Sequence, residues 1–213
     1  MRRSGSSASS SGVAAATVFV SHAWVYPFDQ LLGTLLDTGN EEAFFWIDVF
    51  VVQQHLTKKV SQDWWGTTFG DAISSIGHTL LVLAPWNAPV PLTRAWCLWE
   101  VICTVHGGAR LEVCLPPAER ARFERALETN FDQVERALAR VDVREASAFA
   151  KADVRMVRAA VEASEGGAPR LNELVVGALR AWLIDAAEAA LERRLRRAGG
   201  HSSDSTSSST DPK

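Results

Sequence analysis

HTLLVLAPW, residues 78–86, is the clearest buried strand in the chain: an apolar run that ends at proline. The segment after it, TRAWCLWEVICTVHGG (93–108), has a helical pattern, with Thr93 as the expected N-cap and glycine at its end. RLEVCLP (110–116) then returns as another strand. Working outward, TVFVS (17–21) is a short β-rich run, and PFDQLLGTLLDTG (27–39) places leucines at helical spacing before a glycine stop. AFFWIDVFVV (43–52) is an apolar run suited to a strand covered on both faces. TTFGDAISSIG (67–77) is a predicted helix. Strand and helix alternating at this spacing imply βαβ crossovers and an α/β fold with a parallel sheet, order 2-1-3-4-(5). In that order the strands at 17–21 and 78–84 are neighbours.

The C-terminal half is helical. AERARFERALETNFDQVERALARV and ASAFAKADVRMVRAAVEAS each carry a helical period, and LNELVVGALRAWLIDAAEAALERRLRR is a long last helix with a basic end. ARVDV (139–143) is a candidate edge strand between them. The serine-rich ends cannot bury a core. The expected organisation is a tail at 1–15, an α/β domain at 16–117, helices at 118–198 packed on it, and a second tail at 199–213.

At 213 residues, 47% apolar and 22% charged, the chain has ordinary soluble composition and room for one substantial domain. A formal charge of -3 supplies no basic excess for nucleic acid. No run approaches the roughly 18–20 apolar residues of a membrane span. The first residues, MRRSGSSASSSGVAAA, have the basic, acid-free composition of an organelle transit peptide or of a plain disordered tail, and lack a secretory h-region. Cys97, Cys103 and Cys114 lie in apolar runs without metal-ligand spacing to any histidine, so they read as reduced thiols of a cytoplasmic protein.

Within 93–108, one acid needs explaining. On a helix turning about 100° per residue, Leu98, Val101, Ile102 and Val105 share the face expected to pack on the sheet. Trp96, Trp99, Glu100 and Cys103 fall opposite, with Trp96 and Glu100 stacked four residues apart. A carboxylate in apolar surroundings is costly unless paired. Glu100 is therefore either salt-bridged to an arginine, or the floor of an indole-walled pocket.

VFVSHAW, FFWIDVF, TLLVLAPW and WCLWEV, taken in order and spacing, resemble the Toll/interleukin-1 receptor (TIR) domain family over about residues 17–116. Trp96-Cys97-Leu98-Trp99-Glu100 matches both the WCxxE and the WxxxE signature of its plant and prokaryotic-type members, and of algal and protist TIR-like proteins. The resemblance implies a flavodoxin-like fold with helices on both faces of the sheet. It also implies self-association and, in the catalytic branch, cleavage of the nicotinamide–ribose bond of NAD, with Glu100 essential. NAD is then substrate, and neither cofactor nor metal is called for. The chemistry suits the residues: nicotinamide is already a cationic leaving group, and one carboxylate can stabilise the oxocarbenium-like ribose, where O-glycosidases need two. Trp96 could stack a pyridinium.

Further candidates for substrate binding lie where strand ends meet the crevice of a doubly wound sheet: Ser21, His22 and Trp24 after the first strand, Asp48 late in the second, and Trp86 after the third. Asp48 also matches the acid of the family's second box, or it caps a loop. Lys58, Lys59 and Arg94 are the available phosphate partners; Trp64-Trp65 sit in the loop after the second strand; His55 and His78 have no evident partner. The first box reads Ser-His-Ala-Trp, and the loop after the second strand is longer than the family's and lacks its early glycine. Three functions are in play: an NAD nucleosidase of intracellular signalling or defence, a non-catalytic TIR-like interaction module, and a nucleoside deoxyribosyltransferase-like enzyme. Glu100 beside Trp96 favours an enzyme, because an adaptor surface gains nothing from that acid.

Overall fold

The computed structural model describes residues 14–51, 62–139, 151–163 and 166–200. Four strands, β1 (Val18–Ser21), β2 (Phe45–Trp46), β3 (His78–Val82) and β4 (Arg110–Cys114), form one all-parallel sheet of order β2-β1-β3-β4. This is the flavodoxin-like arrangement, with β1 beside β3 in the register Phe19↔Thr79 and Ser21↔Leu81. Of the expected strand at 139–143, Ala139 closes a helix and 140–143 lie outside the described residues.

Successive strand residues point to opposite faces, and two cores result. Val18, Val20, Leu80 and Val82 pack with Leu31 and Leu35 of α1 (Phe28–Asp37) on one face. On the other, Phe19 packs with Phe69 and Ile73 of α3 (Gln62–Ile76). Leu81, Leu83 and Val113 on that face join Leu98, Val101 and Ile102 of α4 (Ala95–His106). That last cluster continues into α5 (Pro117–Thr129), α6 (Phe131–Ala139), α7 (Lys151–Ala163) and α8 (Gly167–Gly200) through Phe123, Val134, Val157 and Leu171. The helical C-terminal half is thus an extra layer over one face of the sheet. Gly77 and Gly108, at φ +72° and +65°, end α3 and α4 in the left-handed conformation that lets each chain turn directly into the next strand.

Several boundaries differ from the sequence reading. The run at 43–52 is not one strand: β2 stops at Trp46, and α2 (Asp48–Val51) follows as a single helical turn. β2 is an edge strand with β1 alone to pair with, while the Asp48 carboxylate accepts the Val49 N–H at 2.7 Å and favours a turn. Val49, Phe50 and Val51 are exposed, not core. Helix α3 begins earlier than expected and includes Trp64 and Trp65, which are helical and not loop residues. Thr93 does not cap α4; its hydroxyl donates to the Val90 carbonyl and closes a 3-10 turn at Val90–Thr93, leaving Arg94 at the cap position. Helix α8 runs to Gly200, two residues into the expected tail. No described helix is long and apolar enough to cross a membrane.

Candidate functional site

The chain leaves β1 toward β2 on one side and returns to β3 on the other, so the carboxyl ends of β1 and β3 flank the topological switch point, where open α/β sheets bind ligands. Ser21 is the last residue of β1, and His22 follows it. Both are buried. Glu100 comes from the second turn of α4 and is 6% exposed.

The Ser21 hydroxyl donates to Glu100 Oε2 at 2.6 Å. Cys97, one turn earlier, directs its thiol at the His22 carbonyl, 3.4 Å away. One turn later, Thr104 Oγ1 lies 2.8 Å from Thr79 Oγ1 of β3 and 2.7 Å from the Glu100 carbonyl. Cys97, Glu100 and Thr104 therefore form a second sheet-facing stripe of α4, beside the aliphatic one of Leu98, Val101 and Ile102 that packs on Leu81, Leu83 and Val113 as expected. This corrects the helical projection, which set Glu100 on the face away from the sheet with Trp96. Trp96 instead turns toward α3, its ring centroid 5.5 Å from that of Phe69. Trp99 joins the C-terminal helical layer, and its indole N–H reaches the Gly66 carbonyl at 3.4 Å. Hydrophobicity alone could not orient this helix, because α4 is covered nearly all round and its polar stripe is matched by polar groups on the sheet.

Glu100 has no ion-pair partner among the described residues. Burial pushes its carboxyl well above the ordinary value; the Ser21 hydrogen bond opposes this, and the nearby Asp48 charge adds to it. Asp48 is the second acid of the group. Its Oδ2 accepts the Trp24 indole N–H at 2.5 Å, and its Oδ1 lies 3.9 Å from His22 Nε2. Burial lowers the His22 pKa below 6.5, against the attraction of Asp48 and a hydrogen bond with the Val20 backbone. Ser21, His22, Trp24, Asp48 and Glu100 are thus brought together from β1, its following loop, α2 and α4. Two acids beside a neutral imidazole make a place where added positive charge is favoured.

Trp86 is held elsewhere. Its ring packs on Phe123 of α5 at 5.7 Å, and its backbone N–H donates to Glu119 Oε2 at 2.9 Å. His78 pairs with Glu112 at 3.0 Å, a partner the sequence did not suggest. Arg94 stands one turn before Cys97, close enough to draw that thiol's pKa down against burial and Glu100, which raise it more. Burial also pushes Cys103 and Cys114 up to about 12, so none of the three thiols carries thiolate character at neutral pH. Lys58, Lys59 and His55 lie outside the described residues. Among the described residues, no group of three or more His, Cys, Asp or Glu is arranged to hold a metal ion.

One element of the site escaped the sequence reading. The hydroxyl of Tyr26, the chain's single tyrosine, donates to the Ala84 carbonyl at 2.6 Å and accepts the Ala84 N–H at 2.8 Å. It ties the loop after β1 to the end of β3, across the switch point. A lone tyrosine just beyond the first strand was the only available signal. Comparison of the chain with family models, with curated proteins and with solved structures gave no match. Fold and site together define an α/β protein with a buried acid at its switch point.

Proposed function

We propose that the chain is a TIR-like NAD nucleosidase acting in intracellular signalling or defence, with Glu100 as its catalytic carboxylate. The observation that supports this most is the placement of Glu100: a buried acid at the β1/β3 switch point with a hydroxyl and, among the described residues, no cation as its partner. A structural acid in a core is ordinarily paired with a positive charge. In the proposed reaction the C1′–N bond to nicotinamide breaks and its electron pair neutralises the pyridinium nitrogen. Positive charge then develops on the ribose, where a negative Glu100 stabilises it. Water adds at C1′ and releases a proton, giving nicotinamide and ADP-ribose; capture by an internal nucleophile would give a cyclic product instead. Approach of the cationic pyridinium favours the ionised form of Glu100, offsetting the burial that holds its pKa up. In this reading His22, Trp24 and Asp48, which lie together beside Glu100, contact the ribose or the base, and Trp96 flanks the α3 side.

The test is incubation of concentrated purified protein with NAD, following release of nicotinamide, with Glu100→Gln as control. No release above the control at any protein concentration sinks the catalytic reading. A second reading, a non-catalytic TIR-like module that self-associates or recruits partners, draws support from the exposed Trp24, Phe28 and Phe50 beside the site. Self-association fits both readings.

A further inference from the structure

The apolar run after β2, expected in the core, is the centre of an exposed patch. On α1, Phe28, Leu32 and Leu36 form a solvent-facing stripe at intervals of one helical turn. The Phe28 ring meets the ring of Phe50 from α2 edge-on, with centroids 5.7 Å apart. Trp24, hydrogen-bonded to Asp48, extends the patch toward the site. Phe50 is 66% exposed and Trp24 60%. A continuous apolar surface of this kind marks an interaction face. Its charge is mostly negative: residues 14–51 contain Asp29, Asp37, Glu41, Glu42 and Asp48 and no lysine or arginine, and of these acids Asp37 is paired with Arg120 of α5.

A surface of complementary character stands at the far end of α8. Ile184, Leu191 and Leu195, spaced seven and four apart, are exposed along one side. Arg193 projects from the opposite side to pair with Glu124 of α5. The last ten residues of α8, LERRLRRAGG, carry four arginines against one glutamate, a basic excess that remains although Arg194 pairs with Glu128 of α5 and Arg196 with Glu192. Both surfaces are exposed in the same chain, so a single copy satisfies neither.

We propose that the end of α8 in one copy docks on the acidic, apolar α1–α2 face of another, Leu191 and Leu195 lying against Phe28, Leu32 and Phe50. The contact is head to tail, so each copy offers one surface of each kind and the assembly grows as an open chain. This rests on the self-association named above and says which surfaces carry it. It does not depend on NAD cleavage. Because the acceptor patch adjoins Trp24 and Asp48, the docked helix of a neighbour borders the candidate site.

Sedimentation velocity on the full chain tests this, over about a hundredfold range of concentration, at low and high salt and without NAD. The wild type should gain mass with concentration, less so in high salt. Phe28→Asp and Leu191→Asp, both at exposed positions, should each weaken association by about tenfold or more while leaving the far-UV circular dichroism unchanged; Leu32→Asp and Leu195→Asp serve if either fails to fold. A head-to-tail contact makes a further demand: the two defective variants, mixed in equal amounts, should form a one-to-one pair, since each retains the surface the other lacks. Association that survives either single variant, or a mixture that stays monomeric, overturns the docking and leaves self-association standing. A wild type that stays monomeric overturns both. Binding of that monomer to phosphatidylcholine–phosphatidylserine vesicles, lost in Phe28→Asp, would assign the face to lipid instead. A chain that associates as described but leaves NAD intact sinks the catalytic reading alone.

Discussion

Ser21 and Glu100, 79 residues apart in sequence, share a 2.6 Å hydrogen bond at the carboxyl edge of the sheet, and it is the one hydrogen bond among the described residues that holds the Glu100 carboxylate. A hydroxyl stabilises a carboxylate less than a cation does, so Glu100 is positioned while burial still holds its pKa up.

Replacing Glu100 with glutamine separates a working acid from a structural one. Burial raises the Glu100 pKa, so between its ordinary value near 4.5 and its own value the folded chain holds a proton that the unfolded chain has lost. Stability of the wild type should therefore fall as pH rises through that window. Glu100→Gln removes the group that titrates and should flatten this limb, melting no lower than wild type above neutral pH. Any NAD cleavage should drop on the order of 10²-fold or more, as loss of an electrostatic contribution to the transition state would cause. A lowered melting temperature with unchanged activity per folded molecule would falsify the catalytic assignment.

Ser21→Ala takes away the interaction that favours the charged form of Glu100. The carboxyl pKa should rise further, and the pH dependence of thermal unfolding should extend to higher pH than in the wild type. The same shift should move the acidic limb of an NAD-cleavage profile upward. If neither curve moves, the hydrogen bond does not govern the ionisation of Glu100.

His22 acts in the opposite direction. Its pKa is lowered by burial, so as pH falls through about 6.5 the unfolded chain takes up a proton that the folded chain resists. Its contribution to stability is complete above that value and is lost on acidification below it. In His22→Gln the loss of melting temperature between pH 7 and about pH 5 should be smaller than in the wild type. An unchanged acid limb would show that this imidazole does not titrate differently on folding.

Tyr26→Phe should destabilise the chain by about 1–3 kcal/mol, because the buried Ala84 N–H loses its phenol partner, while the Ala84 carbonyl keeps the Val90 N–H. Chemical denaturation measures this directly. Slower hydrogen exchange at Ala84 in the variant than in the wild type would contradict the role assigned to the hydroxyl.

The alternation of buried runs with helical periods was enough to place β1, β3, β4, α1 and α4, and to order the sheet with β1 beside β3, because strands covered on both faces have no polar alternation to hide them. The same patterning overestimated β2. An apolar run says that a segment shuns water, and it does not say whether the fold has a partner strand to cover it; at the sheet edge the fold has none, and residues 49–51 stand exposed. Glu100 was conspicuous in sequence as an acid among indoles. Its direction was not, since helical period tells which residues share a face and not what that face meets. Only the tertiary path through β1, β3 and α4 sets Ser21 opposite Glu100 and Thr79 opposite Thr104. The grouping of Asp48, His22 and Trp24 around that pair is tertiary for the same reason: each side chain is placed by an element whose neighbours in space are distant in the chain.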